Sequence, residues 1–174
     1  MSCLETLAEW SPPDARQEQL RDLYCDHLRT ADDGWSRHCL GRHLTASGLI
    51  ISPDRDRVLL TLHARIGRWL QTGGHIENED ADLQSAALRE AAEESGLSGL
   101  KPGDLLRLSR HEVPCGPVRP CYHLDVQYLI IGDPSNPPIR SEESTDVAWF
   151  GLDELPAIDD SVRDLIDAAT RTRR

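Results

Sequence analysis

The sequence predicts an α+β protein or an irregular α/β/α sandwich. Strand-like and helix-like patterns are intermixed along the 174 residues, without the regular strand–helix alternation typical of a parallel sheet. Hydrophobic residues make up 39% of the chain and charged residues 28%, a balance that allows a sizeable core. The chain contains no internal repeat, low-complexity tract or long linker, so we expect a single domain over residues 1–174.

The first half of the chain contains one helical pattern and two strand patterns. Asp14 is suited to cap a helix that begins at Ala15, and residues 31–34 end that pattern. Residues 43–51 and 57–63 are apolar runs typical of strands, and a Ser-Pro-Asp turn separates them. We therefore expect these two strands to pair as a β-hairpin.

The second half contains the most informative helix and three further strands. Asp80 or Asp82 is suited to cap the start of this helix, and Gly96 is placed to end it in a left-handed turn. A loop with three prolines and a glycine follows the first of the strands. The expected elements are strands over 105–112, 122–131 and 145–150 and a final helix over 160–170.

The helix that ends at Gly96 carries acids on the face that should pack. Because a helix turns by roughly 100° per residue, its apolar stripe is formed by Leu83, Ala86, Ala87 and Ala91. Glu90 and Glu94 fall in the middle of that stripe, and Glu93 lies beside it. Burying unpaired charge costs on the order of several kcal/mol. A divalent cation is therefore the expected partner, in preference to a solvated acidic face.

Composition limits the partners and the compartment. The net charge is −11, and basic residues cluster only at the C-terminal end, which argues against broad nucleic-acid binding. A small phosphorylated substrate remains compatible, because a bound cation reverses the local charge. Residues 1–10 lack a basic apolar signal segment, and no apolar run approaches the ~20 residues of a membrane span. With five scattered cysteines, we expect a reduced, cytoplasmic protein that does not bind membranes.

The run from Gly74 to Leu97 resembles a Nudix box. That pattern is G, five residues, E, seven residues, then R-E-U-x-E-E-x-G-U, where U is apolar. The positions that match its second half are Arg89, Glu90, Ala91, Glu93, Glu94, Gly96 and Leu97. In the first half, Asp80 stands in place of the glutamate, and eight residues instead of seven separate it from Arg89. We interpret this difference as a loop that is one residue longer.

The resemblance covers about residues 42–168 and implies a fold and a reaction. It implies a Nudix-type α/β/α sandwich with a mixed β-sheet over residues 42–170. Residues 1–40 lie outside the resemblance, and from their helical pattern we expect an N-terminal helical extension. It also implies a hydrolase that uses Mg²⁺ or Mn²⁺ to cleave the diphosphate linkage of a nucleoside diphosphate joined to another group. A small nucleotide-like diphosphate is the expected substrate, and a homodimer is expected from the family.

The resemblance also suggests roles for individual residues. The expected metal ligands are Gly73, through its carbonyl, and Glu90, Glu93 and Glu94, whose oxygens suit Mg²⁺ or Mn²⁺. Arg89 is expected to orient a glutamate. The general base is either a box acid such as Glu94 or an acid outside the box, with Glu112, Glu142 and Glu143 as candidates. The predicted catalytic set is Arg89, Glu90, Glu93, Glu94 and Glu143.

Three residues outside the box are candidates for substrate binding, each with an alternative. Arg68 could bind phosphate or form a surface ion pair. Trp69 could stack on the substrate or pack in the core. Asp125 shares a strand face with His123, and this face either lines the pocket or is solvated.

Cysteine and histidine residues raise a separate metal hypothesis. A zinc site or a disulfide could involve members of the group Cys115, Cys121, His111 and His123. The spacing is not that of a standard zinc site, so plain thiols are the preferred interpretation.

Two other functions are compatible with the sequence. A Nudix-fold module could sense a nucleotide without cleaving it, but such modules often lose box acids that this chain retains. A different metal-dependent phosphohydrolase could act on a substrate that has no diphosphate.

Overall fold

The fold is described from a computed structural model that covers residues 1–114 and 117–171. Four helices and seven strands follow one another along these residues. In chain order they are α1 (Cys3–Glu9), α2 (Ala15–Thr30), β1 (Arg42–Ile51), β2 (Arg57–His63), β3 (Trp69–Leu70), β4 (Thr72–His75), α3 (Leu83–Ser95), β5 (Lys101–Val113), β6 (Cys121–Ile131), β7 (Ser144–Gly151) and α4 (Asp160–Arg171). The chain is therefore α+β, as the mixed pattern of elements predicts.

The strands form one mixed sheet in the order β3-β2-β1-β6-β5, with β4 paired to β1 and β7 paired to β2. β1 and β6 run parallel along their whole lengths, and the other pairs are antiparallel. On the side of β1 opposite β6, the pairing partner changes along the strand. Its end at Ile50 and Ile51 pairs with β2, whereas residues 45–48 pair with β4. The sheet consequently splits between β1 and β2, and the chain crosses the gap from β3 to β4.

Helices cover both faces of the sheet. On one face, α1, α2 and α3 pack over alternate residues of β1 and β6 around a core that includes Leu7, Tyr24, Leu44, Ala46, Leu83, Ala86, Ala87, Leu124 and Val126. On the opposite face, α4 packs over a second core that includes Leu49, Ile51, Leu60, Leu129, Val162, Leu165 and Ile166. The result is the α/β/α sandwich that the sequence predicts.

The predicted elements are present, and the structure adds three details. The expected hairpin of β1 and β2 is present, but β1 pairs with β2 only at Ile50 and Ile51, because residues 45–48 of β1 pair with β4. Asp82 caps α3, whereas Asp80 does not. The N-terminal segment contains a second helix, α1, before α2. It begins with a capping box between Ser2 and Glu5, a spacing that is visible in the sequence.

Within residues 1–114 and 117–171, no helix combines the length and the apolar character that crossing a membrane requires.

The end of α3 offers a test of this packing. Gly96 is the C-cap, with φ 66° and ψ 7°, and a Cβ added there would lie 2.7 Å from Cβ of Ile139 and 2.9 Å from its carbonyl oxygen. Because the left-handed conformation and the close backbone both oppose a side chain, we expect Gly96→Ala to lower the free energy of unfolding by about 1–3 kcal/mol. Chemical denaturation measures this change.

Gly151→Ala is the matched control, because a Cβ at Gly151 meets no atom within 4 Å and its φ is not positive. Its expected effect is below about 0.5 kcal/mol. Equal losses in the two variants would contradict the steric explanation for Gly96.

Candidate active site

The acids of α3 lie where the helix crosses the split in the sheet. The capping box between Asp82 and Ser85 begins the helix, and its apolar stripe packs on β1 and β6. This orientation fixes the three glutamates. Glu94 is 8% exposed, the side chain of Glu90 is 14% exposed, and that of Glu93 is 60% exposed. The order of burial follows from their positions on the helical wheel.

Glu94 occupies a polar niche between two parts of the split sheet. Its Oε1 accepts a hydrogen bond from the backbone N–H of Gly73 in β4, at 2.8 Å, and its Oε2 accepts one from the hydroxyl of Thr61 in β2, at 3.3 Å. Burial raises the pKa of Glu94 to about 7, and the nearby charges of Glu90 and Glu143 add to the rise. The protein therefore holds a carboxyl that titrates near neutral pH.

Glu90 lies against the glycine turn that precedes the helix. A Cβ on Gly74 would come within 2.6 Å of its Oε1, so only glycine leaves the carboxylate in this position. Burial raises the pKa of Glu90, although the guanidinium of Arg89 opposes the rise. The charge of Glu90 in turn raises the pKa of Glu94, so the two carboxyl groups interact electrostatically.

Arg89 joins the loop, the strand and the helix. Its Nε and Nη2 donate to the two carboxylate oxygens of Asp80, at 3.0 and 2.9 Å, and Nη2 also donates to the carbonyl of His75 at 2.9 Å. Its Nη1 donates to Glu90 at 2.9 Å and to Glu93 at 3.2 Å. Arg89 thus ties Glu90 and Glu93 to the preceding loop and to β4, which is the geometry of a residue that orients glutamates.

Asp80 is the acid at the imperfect position of the box. Its side chain is 6% exposed. Burial by itself raises the pKa of Asp80, but the hydrogen bonds from Arg89 and from the backbone of Glu77, together with the charge of Arg89, lower the pKa overall. In the described structure Asp80 therefore serves as the anionic partner of Arg89.

The other general-base candidates lie on different parts of the sheet. Glu143 is exposed in the turn just before β7, and its charge contributes to the raised pKa of both Glu90 and Glu94. Its neighbour Glu142 is also exposed. Glu112 lies on the edge strand β5, which β6 separates from β1. Among these acids, Glu143 has an electrostatic link to the acids of α3.

The three residues predicted to bind substrate are dispersed. Arg68 is exposed, with Nη1 3.9 Å from Asp159 in a surface ion pair. Trp69 is half-buried and packs edge-on against Phe150, with ring centroids 4.8 Å apart. Asp125 is 1% exposed and accepts hydrogen bonds from the side chains of Thr45, Ser47 and Gln127. A substrate role for Asp125 stays a prediction and would require the carboxylate to exchange these partners.

The cysteine–histidine hypothesis is only partly accessible to the structure. Cys115 lies outside the described residues, so a zinc site or disulfide that includes it is not described. Cys121 is buried, and the rings of His111 and His123 are 5.6 Å apart. His123 also lies beside His43 and His75, two histidines that sequence reasoning passed over.

Sequence reasoning also missed the residues that hold the acids in place. The sequence pattern indicates only that Thr61 and Ser47 belong to strands, yet in the fold their hydroxyls donate to Glu94 and Asp125. The signal available in the sequence was a hydroxyl within each apolar strand, which requires a partner once it is buried.

The protein is a small α/β/α domain, with a mixed sheet between two layers of helices. Its helix α3 packs over the split in the sheet and carries the acidic side chains of the candidate site. The Nudix domain model matches residues 41–169, so the chain belongs to the Nudix family. At the level of that family it is a nucleotide pyrophosphohydrolase. No curated protein matches the chain in a sequence search.

Several solved structures share the fold of this chain. A NUDIX-family hydrolase from Clostridium perfringens is 25% identical, with a TM-score of 0.56 over 76% of this chain and 99% of its own. An Ap4A hydrolase from C. elegans, solved as a binary complex, is 17% identical, with a TM-score of 0.57 over 74% and 95%. The NUDIX domain of Shewanella oneidensis NrtR, complexed with ADP ribose, is 19% identical, with a TM-score of 0.57 over 84% and 96%.

The raised pKa of Glu94 predicts a pH-dependent stability. Between its usual pKa of 4.5 and about 7, folded Glu94 retains a proton that the unfolded chain releases. Its contribution to stability is therefore lost as pH rises through this window. With a metal chelator in the buffer, we expect the free energy of unfolding of Glu94→Gln to rise above that of the wild type as the pH increases. The expected difference is up to about 3 kcal/mol at pH 8.

Denaturation curves at several pH values measure this difference, and the comparison between proteins cancels contributions from histidines. Glu79→Gln, at an exposed loop position, is the control and should follow the wild type at every pH. A stability difference for Glu94→Gln that does not change with pH would contradict the assignment of this pKa.

Proposed function

We propose that the protein is a divalent-metal-dependent hydrolase that cleaves the diphosphate linkage of a small nucleotide derivative. The observation that carries this proposal is the excess of negative charge on α3. Asp80, Glu90 and Glu93 share one guanidinium, and Glu94 takes its hydrogen bonds from uncharged groups. Holding the buried carboxylates of Glu90 and Glu94 in this arrangement is costly unless a cation joins them.

The donor set fits Mg²⁺ or Mn²⁺. Carboxylate oxygens on one helix face are the ligands that these ions prefer, and no sulfur or imidazole is needed. The proposed ligands are Glu90, Glu93 and Glu94, together with the carbonyl of Gly73. When bound, the ion would neutralise the charge of the diphosphate and orient a water molecule for in-line attack.

The protein's own residues supply the positions and the proton acceptor. Arg89 holds Glu90 and Glu93 through Nη1, and its tie to Asp80 keeps the guanidinium fixed. Gly74 leaves room for Glu90 beside β4. We assign the general base to Glu143, which is exposed and electrostatically linked to Glu90 and Glu94.

Several expectations from the sequence accompany this proposal. We propose that residues 1–40 form a helical extension on a core over residues 42–170, since α1 and α2 pack into the same apolar core as α3. Homodimer formation, a cytoplasmic location and substrate roles for Arg68, Trp69 and Asp125 stay predictions.

A panel assay tests the function. Nucleoside triphosphates, nucleotide sugars, ADP-ribose, dinucleoside polyphosphates and dinucleotide cofactors are incubated with the protein and Mg²⁺ or Mn²⁺. We expect metal-dependent release of a nucleoside monophosphate from at least one of them. Glu93→Gln and Glu94→Gln should lower kcat by at least about 100-fold with the fold retained. Reactions in ¹⁸O-water locate the cleaved bond.

Glu79→Gln is the matched control for turnover, because it removes an exposed acid from the loop outside the proposed ligands. Unchanged metal-dependent turnover in both Glu93→Gln and Glu94→Gln would refute the proposed site. Binding of a nucleotide with no turnover across the panel would instead favour a sensor, and the structural relative complexed with ADP ribose makes that ligand the first to measure.

The assignment of the base is tested by two adjacent acids. Glu143→Gln should lower kcat by about 10²–10⁴-fold, since that is the usual contribution of a positioned general base. Glu142→Gln, one residue earlier and equally exposed, should leave kcat within a few-fold of the wild type. A larger loss in Glu142→Gln would show that the assignment is wrong.

A further inference from the structure

Three histidines from three adjacent strands meet on the face of the sheet opposite α3. His43 in β1 lies directly across from His123 in β6, and His75 in β4 lies on the other side of β1, opposite Thr45. The three rings form a triangle, with centroids 4.9, 5.2 and 5.2 Å apart. One ring nitrogen from each histidine lies within 4.8 Å of the others. We call this group the histidine cluster.

The cluster is separate from the acids of α3. Side chains alternate along β4, so Gly74 faces Glu90 on one side of the sheet while His75 faces the other. Leu124 and Val126, on the α3 side of β6, alternate with His123 in the same way. Strand β4 therefore lies between the acids and the cluster, and the two groups cannot share one ion.

The innermost histidine has an unsatisfied nitrogen. His43 is 2% exposed, and its Nδ1 lies 3.4 Å from the carbonyl oxygen of Cys39. Its Nε2 is buried and has no hydrogen-bond partner among the described residues. Leaving such a group without a partner costs about 1–3 kcal/mol. A donor tautomer at Nδ1 leaves the lone pair of Nε2 available, and histidines that bind metals commonly bond a backbone carbonyl through their other nitrogen.

We propose that His43, His75 and His123 bind one divalent transition-metal ion of the zinc class, distinct from the ion expected at the acids. Three imidazoles are a known donor set for such ions and leave one coordination position open. A cavity of about 190 Å³ adjoins the cluster, lined by His43, His75, Arg37, Cys39 and Cys121. This cavity is where a water molecule or an anionic ligand would complete the coordination.

The charge around the cluster selects the kind of ion. Arg37 lines the cavity, and its positive charge acts on both His43 and His75. Mg²⁺ and Ca²⁺ prefer oxygen ligands and would gain little from imidazole to offset this repulsion. Zn²⁺ and Co²⁺ bind imidazole strongly enough to do so. The cluster should therefore take up zinc-class ions in the presence of excess Mg²⁺.

The ion would join β1, β4 and β6 at one point. Residue His75 connects the cluster to the other site, because its carbonyl accepts a hydrogen bond from Nη2 of Arg89. Binding should accordingly fix the strand that carries Gly73 and Gly74. We assign the ion a structural role and expect it to raise the melting temperature of the protein, because it binds the folded state.

Cobalt binding tests the proposal on the intact chain. Metal-free protein is dialysed against Co²⁺ with excess Mg²⁺, and bound cobalt is measured by elemental analysis and visible absorption. We expect one equivalent per chain and a higher melting temperature. His75→Gln and His123→Gln should each weaken Co²⁺ binding by at least about tenfold. Circular dichroism checks that both variants fold. His75 and His123 are chosen because they are half-buried, whereas His43 is buried.

Two control variants separate this site from others. His63→Gln removes a histidine from β2, and Glu94→Gln removes a proposed ligand of the other ion. Both should retain the Co²⁺ equivalent. The proposal is overturned if Mg²⁺ displaces the cobalt, if the His75 and His123 variants bind as the wild type does, or if Glu94→Gln abolishes binding. A thiolate-to-cobalt charge-transfer band would also overturn it, by assigning the ion to a cysteine.

Discussion

The guanidinium of Arg89 is the contact on which the arrangement of the site depends. Its three nitrogens reach the loop through Asp80, the strand β4 through the carbonyl of His75, and the helix through Glu90 and Glu93. A planar, permanently charged fork can satisfy partners in several directions at once, which a lysine cannot do. Because the side chain of Arg89 is half-buried and has all of these partners, they fix both its position and theirs.

The split in the sheet creates the space that the acidic side chains of α3 occupy. If β1 paired with β2 along its whole length, the backbone N–H of Gly73 and the hydroxyl of Thr61 would not converge on one point. The change of partner from β2 to β4 brings them together around Glu94. One carboxyl is thereby buried with two neutral donors, and its pKa rises to about 7. The charge that the helix cannot neutralise is the physical basis of the cation site that we propose.

Much of this site could be predicted from local sequence. The spacing of Glu90, Glu93 and Glu94 on a helix sets their relative burial, and Gly96 ends the helix as its position indicates. The strands and the α/β/α layers also follow from local patterns. Residues whose meaning depends on pairing were not predictable. His43 and His123 are far apart in the sequence, and only the parallel register of β1 and β6 places them opposite each other.

Asp125 is another residue whose surroundings could not be predicted from the sequence. Its alternation with apolar neighbours indicates a polar face, but the sequence does not say what covers that face. The fold buries it against the hydroxyls of Thr45 and Ser47. The sequence alone determined the helix, its acids and the family they resemble, because periods of 3.6 and 2 residues are local properties. The tertiary structure decided which strands meet, since register between distant segments is fixed only when their side chains pack.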